Sequence, residues 1–321
     1  MQRFGIGLAG AMLVVLAACG SADPHDGAGA NAGAVATPGL PSEYTGPDGV
    51  TSTVTSADRI VTLSGEFSEI VDALGLSDNL VGVDLSSDHP PDVMASKPKV
   101  GVEFRLFAEP ILALDPTVVL GDIDATPPEV IEQVRDAGVP VVIMPRLVGL
   151  TAPAEKIRLV GEVLGVDDLA DAVATEVQER IDSAVAPVET TTSHPRVVVV
   201  YVATEDQVLL LGDNTVFEGL IEAVGAVDVA PAAGTDGFVP LSAEAIASAA
   251  PDVIITARRG FDRRGGLDGF LELPGLAQTP AGRSGAVLVY DDSLLLTLGP
   301  RTGELLERLM ADLHPELGSG S

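Results

Sequence analysis

The chain has 321 residues, 47 acidic against 18 basic, for a formal charge of −29, and so acidic a protein repels nucleic acid, which is excluded as a partner. Hydrophobic residues make up 46% but aromatic ones only 3%, with no Trp, so the core is built from Val, Leu, Ile and Ala, and the length suits two lobes rather than one small core. A single Cys excludes a disulfide framework and a Cys-ligated metal cluster.

Residues 1–18 carry Arg3 and then an apolar run over 4–18, too short to span a bilayer comfortably and patterned as a removable export signal. The run ends Leu16-Ala17-Ala18-Cys19-Gly20, which resembles the lipobox of bacterial lipoproteins. That resemblance implies cleavage before Cys19 and acylation of its sulfur, an anchor in which each buried CH2 contributes about 0.8 kcal/mol. From there to residue 55 the composition is Gly, Ala, Ser, Pro, Asp and Thr without periodicity. It predicts an unstructured lipidated tether over 19–55, with His25 a bystander.

From Arg59 onward short apolar runs alternate with segments of period 3.6. Strands are expected at 60–63, 80–84, 117–121 and 139–144, then at 197–202, 208–211, 252–256 and 286–290. The pattern predicts an α/β protein of two Rossmann-like lobes with mostly parallel sheets, the first over 56–150 and the second over 195–317. An internal repeat supports the division. Ala108-Glu109-Pro-Ile111-Leu-Ala113-Leu-Asp-Pro116 followed by Thr-Val118-Val119-Leu120 matches Ala243-Glu244-Ala-Ile246-Ala-Ser248-Ala-Ala-Pro251 followed by Asp-Val253-Ile254-Ile255. Each copy reads as helix, proline stop and buried strand; Asp72-Ala73-Leu74-Gly75 and Glu222-Ala223-Val224-Gly225 form a second matched pair.

The linker, 151–194, contains Leu169, Val173, Val177, Ile181 and Val185 at every fourth position. They predict one helix of about 18 residues, about 27 Å long, with Glu176 and Arg180 as an i,i+4 pair on its outer side. One long helix joining two lobes implies modest closure around a ligand.

These features together are similar to the substrate-binding lipoproteins of iron-complex ABC importers, the family covering haem, ferric siderophores and cobalamin. Arg59-Ile-Val-Thr-Leu, Ser68-Glu69-Ile-Val-Asp-Ala-Leu-Gly75 and Leu80-Val-Gly-Val-Asp84 resemble the family's opening strand, helix and second strand. Gly265-Gly-Leu-Asp268-Gly-Phe-Leu-Glu-Leu-Pro274 and Asp291-Asp-Ser-Leu-Leu-Leu296-Thr-Leu-Gly299-Pro-Arg301 resemble the haem-binding branch. The resemblance implies a periplasmic-binding-protein fold with a rigid helical linker and no enzymatic activity. It also implies a monomer anchored at the extracytoplasmic face of a bacterial cell membrane, haem as transported ligand rather than catalytic cofactor, and ABC permease and ATPase subunits as partners.

Site residues follow by position. In Val83-Asp84-Leu-Ser86-Ser87-Asp88-His89-Pro90-Pro91, His89 stands where many members carry the tyrosine that ligates iron, and imidazole is a common axial haem ligand. Phe238 occupies a position where some relatives have a second tyrosine, so it is expected to line the cleft without ligating; Met144 is a candidate second ligand, and a five-coordinate haem or a different ligand stays open. Arg258 and Arg259 follow the strand at 252–256, at the carboxyl end where α/β lobes present ligand loops; their guanidinium groups, with Arg105 and Arg146 as further candidates and Arg263 and Arg264 weaker ones, suit carboxylates such as haem propionates. The family docks an exposed glutamate of each lobe on the permease, and Glu69 and Glu222 match those positions, with Glu218 as neighbour to the second.

Other classes fit less well. Ser64-Gly65-Glu66-Phe67 after the first strand lacks the glycine spacing of a dinucleotide-binding enzyme, and no phosphate-binding loop follows elsewhere. A zinc or manganese site wants several His or carboxylates, and beyond His89 only His194 and His314 remain in the folded region. Siderophore and cobalamin binding share the fold and stay open.

Overall fold

A computed structural model of the protein describes residues 39–102, 105–230 and 236–320. The signal, Cys19 and His25 lie outside the described residues. Among the described residues no helix is long and apolar enough to cross a membrane.

The stretch 39–55 is not tether. Strands β1 (Ser42–Thr45) and β2 (Thr51–Val54) pair antiparallel as a hairpin. Its alternate residues face inward: Val54 is fully buried, and the hydroxyls of Ser42 and Ser52 donate to the carbonyls of Val163 and Val141 at 2.6 and 2.9 Å. The Ser/Thr-rich composition conceals a strand whose polar inward positions are satisfied by backbone acceptors.

The first lobe runs β3 (Ile60–Thr62), α1 (Gly65–Ala73), β4 (Leu80–Gly82), α2 (Pro91–Met94), the short hairpin β5 (Gly101–Val102) and β6 (Arg105–Leu106), α3 (Ala108–Leu112), β7 (Val118–Asp122), α4 (Pro128–Asp136) and β8 (Val141–Met144). Its sheet has the order β4-β3-β7-β8 and is parallel throughout. Buried on both faces, these strands read as unbroken Val, Ile and Leu runs, which is why they were legible in the sequence.

Two helices follow, α5 (Ala152–Leu164) and α6 (Asp167–Val185). Their axes come close where Gly161 meets Ala170, since a Cβ at 161 would lie 2.1 Å from that of Ala170. The 19 residues of α6 make it about 28 Å long, as expected, but its buried stripe is Ala170, Ala174, Val177, Ile181 and Ala184. Leu169 is exposed, and Arg180 pairs with Glu307 rather than Glu176, through Nε and Nη2 at 3.0 and 2.8 Å. The last helix packs against α6, and a partner across that interface outcompetes the local i+4 geometry.

The second lobe comprises β9 (Arg196–Val202), β10 (Val208–Leu211), α7 (Leu220–Ala223), β11 (Val227–Asp228), β12 (Phe238–Pro240), α8 (Ala243–Ala249), β13 (Val253–Ala257), α9 (Arg258–Arg263), α10 (Leu267–Leu271), α11 (Pro280–Ser284), β14 (Val287–Tyr290), α12 (Asp292–Leu296) and α13 (Thr302–Leu313). Its sheet is mixed, with order β12-β10-β9-β13-β14 and β11 paired to β9. β10 runs antiparallel to both neighbours, because the connection from Ala203 to Gln207 closes as a hairpin and is too short for a crossover. The predicted repeat is visible in the backbone. Asp115 and Ala250, at matching positions, both adopt φ 44° between their helix and the strands β7 and β13.

One apolar cluster runs from Ile60 and Phe67 of the first lobe through Ile157, Ala174 and Ile181 to Leu305, Val197 and Ile255 of the second. The outer faces of the two sheets carry separate smaller clusters. The lobes therefore share a continuous core through α5, α6 and α13, which stiffens their junction.

Candidate functional site

The carboxyl ends of the parallel strands meet across a cleft of about 300 Å³. Ser64 follows β3, Asp84 follows β4, Asp122 ends β7 and Arg146 follows β8; from the other lobe come Tyr201 of β9, Phe238 of β12, Arg259 after β13 and Asp292 after β14. This is where α/β sheets present ligand-binding loops.

Two ion pairs anchor α1, one at the cleft wall to the linker helix α5 and one to the second lobe. Glu66 of α1 accepts from Lys156 Nζ at 2.7 Å and from the Leu298 amide at 3.3 Å, and the Lys156 side chain is only 8% exposed. Burial pushes the Glu66 carboxyl above its usual range against the pull of Lys156. One turn on, Glu69 accepts bidentately from Arg301, at 2.9 Å from Nε and 2.6 Å from Nη2, and Arg301 also donates to Ser293 Oγ at 3.0 Å. Burial raises Glu69 as well, with Arg301 opposing. Glu69 is therefore a structural partner, 4% exposed, and not the exposed docking charge expected of it. Glu222 and Glu218 are exposed, as that role requires.

The loop carrying His89 is pinned by a buried chain of hydroxyls, Thr62 to Ser68 at 2.6 Å and Ser68 to Ser87 at 2.7 Å. His89 itself is half-buried and is not among the residues lining the cleft. Burial and then the charge of Arg301 lower its pKa, with Glu304, Asp88 and Asp72 opposing. The pinned loop leaves His89 outside the cleft lining, where the matched position was expected to place a ligand. Met144 fails for a simpler reason: it ends β8 inside the core, 1% exposed.

The arginines divide. Arg146 and Arg259 line the cleft, whereas Arg258 and Arg105 do not. Arg146 grips Asp124 through Nε, at 3.1 Å, and Nη2. Arg259 reaches across to Asp88 of the first lobe at 2.7 Å and pairs with Asp292 of its own lobe at 3.3 Å. Arg258 pairs with Asp291 at 3.0 Å, and Arg105 lies 5.9 Å from the ring centre of Phe107. Phe238 lines the cleft as expected and is 51% exposed. Among the described residues no group of three or more His, Cys, Asp or Glu side chains is placed to hold a metal ion.

Sequence reasoning passed over Tyr201. It lies in the strand expected at 197–202, and the strand-end rule that singled out Arg258 and Arg259 applies to it equally. Gly260 completes the arrangement: a Cβ there would lie 2.7 Å from Val202 Cβ and O, so only glycine lets α9 settle on β9 and bring Arg259 beside Tyr201. Burial and then Asp292 raise the Tyr201 phenol above its usual pKa, with Arg259 and Arg263 opposing.

Comparison with known proteins fits this geometry. Residues 60–294 match the family described as periplasmic binding protein. The chain belongs to that family. A relative from Bacillus subtilis strain 168, an uncharacterized ABC transporter substrate-binding lipoprotein called YvrC, is 25% identical over 265 residues, covering 80% of each chain. Among solved structures, the periplasmic heme-binding protein RhuT from Roseiflexus sp. RS-1 in apo form is 40% identical, with a TM-score of 0.78 over 80% of this chain and 98% of that one. The heme-binding protein HmuT is 35% identical, with a TM-score of 0.82 over 87% and 92%. Family and neighbours are solute-binding transport proteins, not enzymes.

Proposed function

We propose that this periplasmic binding protein captures haem outside the cytoplasm and delivers it to an ABC permease for iron uptake. The observation that carries the reading is the match, at 35–40% identity over most of both chains, to proteins that bind haem. The cleft chemistry agrees with it. Haem is a flat apolar ring with two anionic propionates, and the cleft sets Phe238, Val148 and Val216 beside the guanidinium groups of Arg146 and Arg259. Both arginines hold exposed aspartates, so an entering propionate exchanges one weak exposed ion pair for another. Leu85 and Ile123, exposed in the loops after β4 and β7, add apolar surface of the kind such a ring covers.

For the permease, the internal repeat supplies a matched pair of charges. Glu109 and Glu244 occupy equivalent positions in the first turns of α3 and α8, one on each lobe, and both are exposed. They answer the description that buried Glu69 does not. The remaining parts of the reading are acylation at Cys19 and a tether that holds a monomer at the extracytoplasmic face of the cell membrane.

Haemin titration of the purified protein, followed at the Soret band, tests the cargo. Saturation near one equivalent is expected. Failure to bind haemin, with tight binding of a ferric siderophore or cobalamin, would replace the cargo and keep the family.

A further inference from the structure

The ion pairs that join the first lobe directly to the second differ in kind. The side chains of Glu69 and Arg301 are 4% and 16% exposed, so that pair holds whether or not the cleft is filled. Those of Asp88 and Arg259 are 47% and 51% exposed, within reach of water and of a ligand. The backbone under each is nonetheless fixed. Ser87, next to Asp88, accepts Lys99 Nζ on its carbonyl and is bonded to Ser68 through its hydroxyl at 2.7 Å. The Arg259 amide donates to Asp292 Oδ2 at 2.9 Å, and Gly260 seats α9 against β9. Asp88 therefore meets Arg259 with a short side chain on an anchored loop, at little cost in conformational entropy.

Arg259 divides its contacts between the lobes. Nε faces Asp292 of its own lobe at 3.3 Å, and Nη2 donates to Asp88 of the other lobe at 2.7 Å. Arg259 and Asp292 line the cleft, and Asp88 does not. Exchange of the Asp88 contact for a ligand oxygen thus leaves the Asp292 pair in place. Arg146 offers no such exchange, because Asp124 engages both its Nε and its Nη2 and both residues line the cleft, so that carboxylate stays beside any ligand. We propose that Asp88 is a built-in competitor for the cargo's carboxylate at Arg259; the inference rests on the haem reading above, through the propionate that it needs. In the empty cleft Asp88 supplies the anion that the guanidinium pairs with. An entering propionate displaces it, and as the cargo leaves Asp88 takes the arginine back. The gain on binding is thereby reduced to the difference between two exposed pairs of the same kind, which tempers affinity in a protein that must give its cargo up.

The test is haemin titration, at low ionic strength, of the full folded protein as wild type, Asp88→Asn, Arg259→Ala and the double variant, with Asp78→Asn as a charge control. Asp78 is exposed just before β4, at the end of the sheet away from the cleft. Haemin dimethyl ester, whose carboxylates are capped, is the second probe. Asp88→Asn is expected to bind haemin about two- to five-fold more tightly than wild type or Asp78→Asn, a gain that shrinks with added salt. In the Arg259→Ala background, and with the dimethyl ester, the gain is expected to fall to the level of the charge control. No gain in Asp88→Asn, an equal gain in Asp78→Asn, or a gain that survives the loss of Arg259 or of the carboxylates overturns the inference while haem remains the cargo. A wild type that binds no haemin overturns the cargo reading and the inference with it.

Discussion

Asp228 ends β11 half-buried, accepting the Ala230 amide at 2.8 Å. Burial, opposed by that hydrogen bond and reinforced by Glu222 and Asp213, pushes its pKa up to about 6. Between about pH 4 and 6 the native state therefore holds a proton that the unfolded chain has released, and stability from this group falls as pH rises through the folded pKa. Asp228→Asn keeps the acceptor and removes the charge. Urea unfolding is expected to find the variant more stable than wild type by about 1–2 kcal/mol at pH 7, after allowance for solvent screening, with the advantage shrinking toward pH 4; a constant difference across that range contradicts the shift. Single residues were also where the sequence was least legible. Glu69 reads as a surface helix carboxylate until Arg301, 232 positions away, is brought against it, and nothing local to His89 shows that its side chain lies off the cleft lining while Asp84 and Ser86 of the same loop lie on it. Tyr201 was legible in principle, because it lies in a Val-rich strand whose carboxyl end was already identifiable.

Elements with strong periodicity were read well, and those held by polar contacts were not. The eight apolar strands expected from the sequence fall within two residues of those positions, whereas the hairpin of β1 and β2 reads as tether because its inward positions include serines. That hairpin covers the edge strand β8 of the first sheet through Ser52 and Val141, which predicts that a chain begun at residue 56 melts about 5 °C or more lower than one begun at residue 39, through loss of buried Val54 and exposure of the edge. Equal melting temperatures would show the hairpin to be dispensable. The α1 to α5 junction gives a second expectation. Lys156→Met leaves Glu66 buried without its cation and should cost about 3–5 kcal/mol, while the double variant with Glu66→Gln recovers most of the loss. A double variant as unstable as the single one would mean that Lys156 acts through packing rather than charge.

At the scale of the whole molecule, the continuous core through α5, α6 and α13 and the two buried ion pairs tie the lobes at a nearly fixed angle, so ligand enters by side-chain and loop adjustment with little rotation of the lobes. On the proposed reading, transport depends on charges outside the cleft. Glu109→Ala with Glu244→Ala is expected to abolish uptake in cells while leaving haemin affinity of the purified protein unchanged; a loss of affinity would place those residues in the binding site instead. The central claim, haem held between the lobes with its propionates on the flanking arginines, is tested most directly by a crystal structure of the protein with haemin bound. The account predicts haem in the cleft, a propionate against Arg259 or Arg146, Phe238 against the ring, and lobes at nearly the angle they adopt without ligand. Haem bound outside the cleft, or propionates away from both arginines, would contradict it.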